Sequence, residues 1–530
     1  ACQFHSFRRH LVNVRRAQRL LSEASEVAVA QVIGQDIDDI GSFIRSNQWR
    51  QREEDQTKKN SHGRTSSNHS TRHPANRKTR TSTEPWIPFK IAVMKCSILS
   101  ILLSLPLALL HAGLQVGTGK GDISPEMGVP LDGAISQNGV VEKIHDPLHV
   151  RALVFSDGKE KIALAVVDNT MISDAIFDAA KVIIEEKTGI AGSHAILAAT
   201  HSHSTPRGMI GLVDDAKFDA YLDTLPQSIA DAVIEANKAL ADAVVGWGSV
   251  DAPEHVFNRR WFVEESGSRP NPFGKTGEQV SMNPGRTGLI KPAGPVDPEL
   301  YLLSVRSPEG QPVAAMGNYG LHYVGGITGR NVSADYFGVF SELLGKKLGA
   351  GEGFLGIMSN GTSGDVNNND LTAERKKYPP FEKMTLVASE LVDKAVPLLG
   401  SIEHQSEVEI DAAEVVLKLK VRKPDAELIA WAKENAAPEN SPLRKSRPQV
   451  YARENLKLAE YPDVVDVRIQ ALRIGDLGIV GIPNEVFAET GLTIKEASPF
   501  GATFVMELAN GYHGYLPSAQ QIGRASCRER

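Results

Sequence analysis

Cysteine is nearly missing from this chain: its 530 residues hold three, Cys2, Cys96 and Cys527, so the stretch 113–521 has none. No disulfide can staple that stretch, and a metal site within it must draw on histidine, carboxylate or tyrosine. Long apolar runs are also scarce. SILSILLSLPLALLHA, which follows Met94-Lys95, is too short to span a bilayer comfortably, and this excludes a multi-span membrane protein. The sequence shows no glycine-rich phosphate loop, no G-x-S-x-G elbow and no internal repeat. With 41% hydrophobic and 23% charged residues, collagen-like and coiled-coil classes are excluded and a sizeable core is available.

The formal charge of −6 divides into +7 for residues 1–93, +1 for Lys95, +2 for 522–530 and −16 for 113–521. So acidic a domain is a poor partner for nucleic acid, whose phosphates call for a basic face. The run after Met94 ends in the small residue Ala112 and reads as a signal peptide over 94–112, cleaved near Gly113, which implies a secreted or periplasmic protein. Residues 1–93 then read as a non-native or disordered upstream segment, rich in Ser, Asn, Arg and His in its middle. The tail IGRASCRER, 522–530, resembles a translated sequencing adapter.

Between these ends, apolar β-rich runs alternate with amphipathic helical stretches. Strands are expected at 152–155, 162–168, 195–200, 244–250, 300–305, 313–320, 353–359, 467–482 and 502–508, and helices at 172–187, 215–242, 334–348, 382–398, 425–436 and 485–497. This alternation predicts an α/β fold, a mixed β-sheet covered by helices, forming a single catalytic domain over 113–521.

Candidate chemistry sits at strand ends. Thr200-His201-Ser202-His203-Ser204 closes the run AILAAT, and in extended backbone residues two apart share a face, so both imidazoles could approach one ion or substrate. An isolated H-x-H is also ordinary polar surface. His322 in GNYGLHYVGG follows another apolar run, and alone it reads equally as a structural histidine. The loops carrying Asp335 and Asp365 could be turn and N-cap chemistry. Glu485 in GIPNEVF is expected to start a helix, where a carboxylate suits the dipole in any protein.

Taken in order, these motifs resemble the neutral, non-lysosomal ceramidase family. The likeness opens at VGTGKGDISPEMGVPL and runs through HVRALVF, VVDNTM, THSHSTP (THTHSGP in the family), FNRR and GPVDPELYLLSV. It continues through LHYV (VHP), SADYFG, SNGTSGDV (SNVGDV), IPNEVF (VPGEF) and NGYHGYLPS (NAYSQYVTT), covering essentially all of 115–520. The resemblance implies one zinc ion held by His201, His322, Glu485 and Tyr515. It implies His203 as proton donor and acceptor at the scissile amide, and Arg259 as stabiliser of the developing oxyanion. Asp168, Asp335 and Asp365 are then carboxylates that support the ligands or hold loops. The implied substrate is ceramide or a related N-acyl lipid, met as a free small molecule or at a membrane surface.

One departure bears on mechanism. The family loop reads D-V-S-P and its serine is implicated in catalysis, whereas here Asp365-Val366 is followed by Asn367-Asn368. Asparagine is no nucleophile, so the expected route is attack by a zinc-activated water. The alternatives are a zinc hydrolase of another amide or of an ester, and a non-catalytic secreted binding protein with the same fold.

Overall fold

Most strands read as unbroken apolar runs because both faces of each are covered. Val150 to Phe155 are all buried, and so are Ile162 to Val167 and Leu355 to Asn360. The computed structural model describes residues 113–521 except 132, 134–138, 211–212, 269, 272, 274–276, 278, 437–445 and 520. The readings made of 1–93, 94–112 and 522–530 lie outside the described residues.

Three larger sheets, one of five strands and two of four, form the frame. The first joins β1 (Gln115–Asp122), β2 (His149–Ser156), β3 (Lys161–Val167) and β4 (Ala195–Ala199) in the order β4-β3-β2-β1, with a two-residue edge at Ala241–Asp242. The second, ordered β8-β7-β6-β5, joins β5 (Val244–Asp251), β6 (Glu299–Arg306), β7 (Pro312–Tyr319) and β8 (Leu355–Asn360). The third, ordered β9-β10-β11-β12, joins β9 (Ile410–Lys420), β10 (Val464–Ile474), β11 (Leu477–Ile482) and β12 (Ala502–Glu507). Helices α1 (Asp174–Thr188) and α2 (Ala216–Lys238) pack on the first sheet, and α3 (Asp335–Leu348) and α4 (Glu382–Ser401) on the second. Helices α5 (Ala426–Asn435), α6 (Arg447–Glu460) and α7 (Ala488–Ala497) follow in the last third of the chain. No described helix is long and apolar enough to cross a membrane.

The expected α/β class and mixed strand directions are present, with the larger strands distributed over three sheets rather than one. Each sheet is antiparallel except for one parallel pair: β3 with β4, β7 with β8, and β11 with β12. The chain crosses between the members of each pair through one helix, α1, α3 or α7. The same unit is therefore built three times, although the sequence carries no repeat, because topology needs only an apolar pattern and not identical residues. The units share one buried centre, to which Leu164 and Ile196, Met316 and Ile357, and Ile479 and Phe504 all contribute. They also meet through backbone, with Asn510 N donating to Leu197 O at 2.7 Å and Gly364 N to Val486 O at 2.8 Å.

Strand β9 and helix α6 were not among the expected elements, and two further departures have local reasons. The run 467–482, expected as one strand, is the hairpin β10–β11, reversed at Gly475 with φ 58°. Strand β1 was not expected, since glycine weakens strand propensity. Its glycines serve packing: a Cβ on Gly117 or Gly119 would fall 1.9 or 2.0 Å from the carbonyl oxygens of Ala236 and Ala232, so α2 lies directly on the strand.

Candidate functional site

The segments after five of the six parallel strands gather at one place. His201 and His203 follow β4, His322 follows β7, Ser363 and Asp365 follow β8, Glu485 follows β11, and Tyr512 and Tyr515 follow β12. His201 is not extended, as the H-x-H pattern suggested. It takes a left-handed backbone with φ 73°, uncommon and strained for a residue with a Cβ, and its N–H donates to Asn169 O at 2.8 Å. The kink turns the His201 and His203 rings edge to face, 87° apart with centroids 4.6 Å distant. Glu485 does not start a helix: it pairs with Tyr515 in a short parallel bridge, and α7 begins three residues later at Ala488.

His201 Nε2 lies 3.0 Å from His322 Nε2, 3.2 Å from His203 Nε2 and 3.3 Å from Glu485 Oε2. His322 Nε2 lies 3.9 Å from the same Glu485 oxygen. Arg259 also reaches the group, with Nη1 3.3 Å from His322 Nε2 and Nη2 donating to Tyr515 OH at 3.1 Å and to Gly364 O at 2.7 Å. All six expected residues thus converge, and every one except the half-buried His203 is buried.

The donor chemistry fits a divalent cation. His201 Nδ1 sits 2.7 Å from Thr170 O, and His322 Nδ1 sits 3.3 Å from both Ser363 O and Ser363 Oγ. A carbonyl can only accept, so Nδ1 carries the proton in each neutral ring and each Nε2 turns a lone pair towards the other. Lone pairs meeting at 3.0 Å repel unless a proton or cation lies between them. Donors around a tetrahedral zinc at about 2.0–2.1 Å stand about 3.3 Å apart, close to the separations found. Glu485 is fully buried, with its Oε2 3.8 Å from Arg259 Nη2. Among the described residues, His201, His203 and His322 form a group whose ring nitrogens lie within 4.8 Å of one another.

The three supporting carboxylates hold loops. Asp168 Oδ2 accepts from Arg151 Nη1 at 2.6 Å and His149 N at 2.9 Å. Asp335, whose carboxyl burial raises to about 6, accepts from Val324 N at 3.1 Å and Gly325 N at 2.8 Å, just beyond His322. Asp365 accepts from Asn258 Nδ2 at 2.8 Å and Ala488 N at 2.9 Å, while its carbonyl takes the Arg259 N–H at 2.8 Å. It therefore ties the arginine to the start of α7.

Three residues escaped the sequence reading. Tyr512 OH donates to Glu485 Oε1 at 3.0 Å, and Tyr323 stacks on His203 at 3.8 Å between centroids. Glu507, the last residue of β12, accepts from Ser363 Oγ at 2.6 Å and from Val486 N at 2.8 Å, joining the loop after β8 to the short strand that bears Glu485. Burial and, more weakly, the neighbouring Glu485 push the Glu507 carboxyl well above the usual range, against the lowering effect of the Ser363 hydroxyl. An acid closing the apolar run ATFVMEL was the available signal for Glu507, and a second tyrosine in NGYHGY was the signal for Tyr512. Asn367, where the sequence resemblance implied a serine, donates to Asn283 Oδ1 at 3.0 Å and accepts from Asn369 N at 2.8 Å.

No protein-family model and no curated protein sequence matches the chain. Among solved structures it is similar to the neutral ceramidase from Pseudomonas aeruginosa, at 18% identity and a TM-score of 0.57, over 78% of this chain and 71% of that one. It is likewise similar to a ceramidase complexed with C2, at 17% identity and a TM-score of 0.58, over 79% and 72% of the two chains. At these identities the likeness is one of architecture, and the chain has the fold of the neutral ceramidase structures.

Proposed function

We propose that this protein is an exported zinc-dependent hydrolase that cleaves the amide bond of ceramide or a related N-acyl lipid. The observation that carries the reading is the meeting of His201 Nε2, His322 Nε2 and Glu485 Oε2 within 3.9 Å, with both imidazoles pinned through Nδ1. His201, His322, Glu485 and Tyr515 would hold the ion. When bound, zinc supplies polarisation of a carbonyl and a water acidified towards neutrality.

The chain's own groups do the rest. His203 is half-buried where the other two imidazoles are closed off, so it can exchange a proton with a bound amide and with solvent. Arg259 directs both terminal nitrogens at the cluster and is held by Gly364 O, which preorganises its charge for an oxyanion. Ser363 is poorly placed as a nucleophile. Its hydroxyl faces Glu507 and the Nδ1 side of His322, behind the ring rather than before it.

Asn367 favours one second reading, the same site acting on another amide or on an ester, because no hydroxyl stands where the ceramidase loop has one. A panel of long- and short-chain N-acylsphingosines, simple N-acyl amides and aryl esters, assayed with one equivalent of zinc, tests both. Turnover of N-acylsphingosines supports the first reading and ester turnover alone the second. Zinc-loaded protein inert towards the whole panel would leave a binding protein and overturn both.

A further inference from the structure

The ring whose centre lies nearest that of His203 is not one of the ligand candidates. Tyr323 follows His322 directly and lies flat on His203, with centroids 3.8 Å apart and planes at 18°. His201 and His322 meet His203 only at an edge or at a tilt. Both Tyr323 and His203 are half-buried, so the tyrosine covers one face of the imidazole that a solute can reach.

The backbone carrying Tyr323 is fixed from two sides. Asn368 Nδ2 donates to the carbonyls of Tyr323 and Val324, at 3.1 and 3.2 Å. The Asp335 carboxylate takes the next two amides, Val324 N and Gly325 N. Lys383 Nζ in turn donates to Asn368 O at 2.7 Å, which keeps the anchor in place. Gly325, with φ 75°, leaves room for the ring, since a Cβ there would lie 3.1 Å from Tyr323 Cε2.

We propose that Tyr323 is a positioning residue for His203, holding the imidazole in one orientation by stacking, and that Asn368 is the anchor that presents it. The catalytic consequence rests on the hydrolase reading above; the stack itself does not. Stacked aromatic pairs bias their partner's orientation by a factor of roughly 2 to 10, which sets the size of the expected effects.

The test uses the full chain, freed of metal with a chelator and treated with diethyl pyrocarbonate. Modification of the His203 peptide is followed by mass spectrometry against the exposed His145. Tyr323→Ala should raise the His203 rate roughly 2- to 10-fold, and Tyr323→Phe, which keeps the stack, should restore the wild-type rate. Asn368→Ala leaves the ring in place but frees its backbone, and should raise the rate in the same direction if Tyr323→Ala fails to fold. With zinc restored, Tyr323→Ala should lower kcat by a similar factor while KM and zinc stoichiometry hold, and Tyr323→Phe should restore kcat. An unchanged His203 rate in both alanine variants overturns the proposal, as does a phenylalanine variant that behaves like the alanine one. Rates that shift as expected in a protein inert towards every substrate overturn the hydrolase reading and leave the positioning role standing.

Discussion

Glu507→Ala should damage both the stability of the protein and its hold on zinc. The carboxylate is fully buried and accepts from four donors: Ser363 Oγ at 2.6 Å, Ser363 N at 3.1 Å, Asn360 Nδ2 at 2.8 Å and Val486 N at 2.8 Å. Each buried donor left without a partner costs about 1–3 kcal/mol, and entry of one or two waters returns part of that. A net loss of about 3–5 kcal/mol is expected, because four donors lose their acceptor together and water restores only part of it. Ser363 supports His322 and Val486 adjoins Glu485, so zinc affinity should fall roughly 10- to 100-fold as well. Glu507→Gln keeps the shape but turns an NH₂ group towards donors, and should lose about half as much stability. Urea unfolding followed by circular dichroism and zinc competition against a chromophoric chelator measure the two effects. Stability within about 0.5 kcal/mol of wild type together with unchanged zinc affinity would refute the reasoning.

Arg259→Ala should leave zinc bound but lower kcat by roughly 10²–10³, the usual loss for one oxyanion donor, as read by steady-state kinetics beside metal analysis. Ser363→Ala should weaken zinc roughly 10-fold by loosening His322, and no acyl-enzyme should accumulate on Ser363 in quenched-flow mass spectrometry of the wild type. Asp146 has its carboxyl raised to about 7, mainly by burial and further by Asp168 and Asp335, against the bonds from Ser333 Oγ and Ala334 N. Between pH 3.8 and about 7 the unfolded chain ionises at this position while the folded protein keeps its proton, so stability falls as pH rises across that window. Asp146→Asn should match wild type near pH 4 and exceed it near pH 8 by up to about 4 kcal/mol in urea unfolding.

The sequence made the site more legible than the frame around it. His201, His203, His322, Glu485 and Tyr515 each close or follow a strand, and strand ends are where α/β folds place their chemistry, so ordered motifs sufficed to mark them. His201 and His203 do not share a face of extended strand: a left-handed turn brings the rings together, and single-residue backbone strain leaves no trace in composition. The three-sheet arrangement was hidden because apolar periodicity reports that a strand is buried and not which sheet it joins. β1 was hidden because Gly117 and Gly119, required for contact with α2, weaken the very pattern by which strands are recognised. Tyr323 and Glu507 were hidden for a different reason, since each acts through a neighbour and only coordinates reveal the neighbour.

The most direct test of the account is the metal content of the purified protein beside that of His201→Ala, measured by inductively coupled plasma mass spectrometry with activity followed in parallel. The account predicts one zinc per wild-type chain, loss of that zinc and of turnover in His201→Ala, and recovery of chelated wild type on adding zinc back. Full activity after complete chelation, or one zinc per chain retained by His201→Ala, would contradict it.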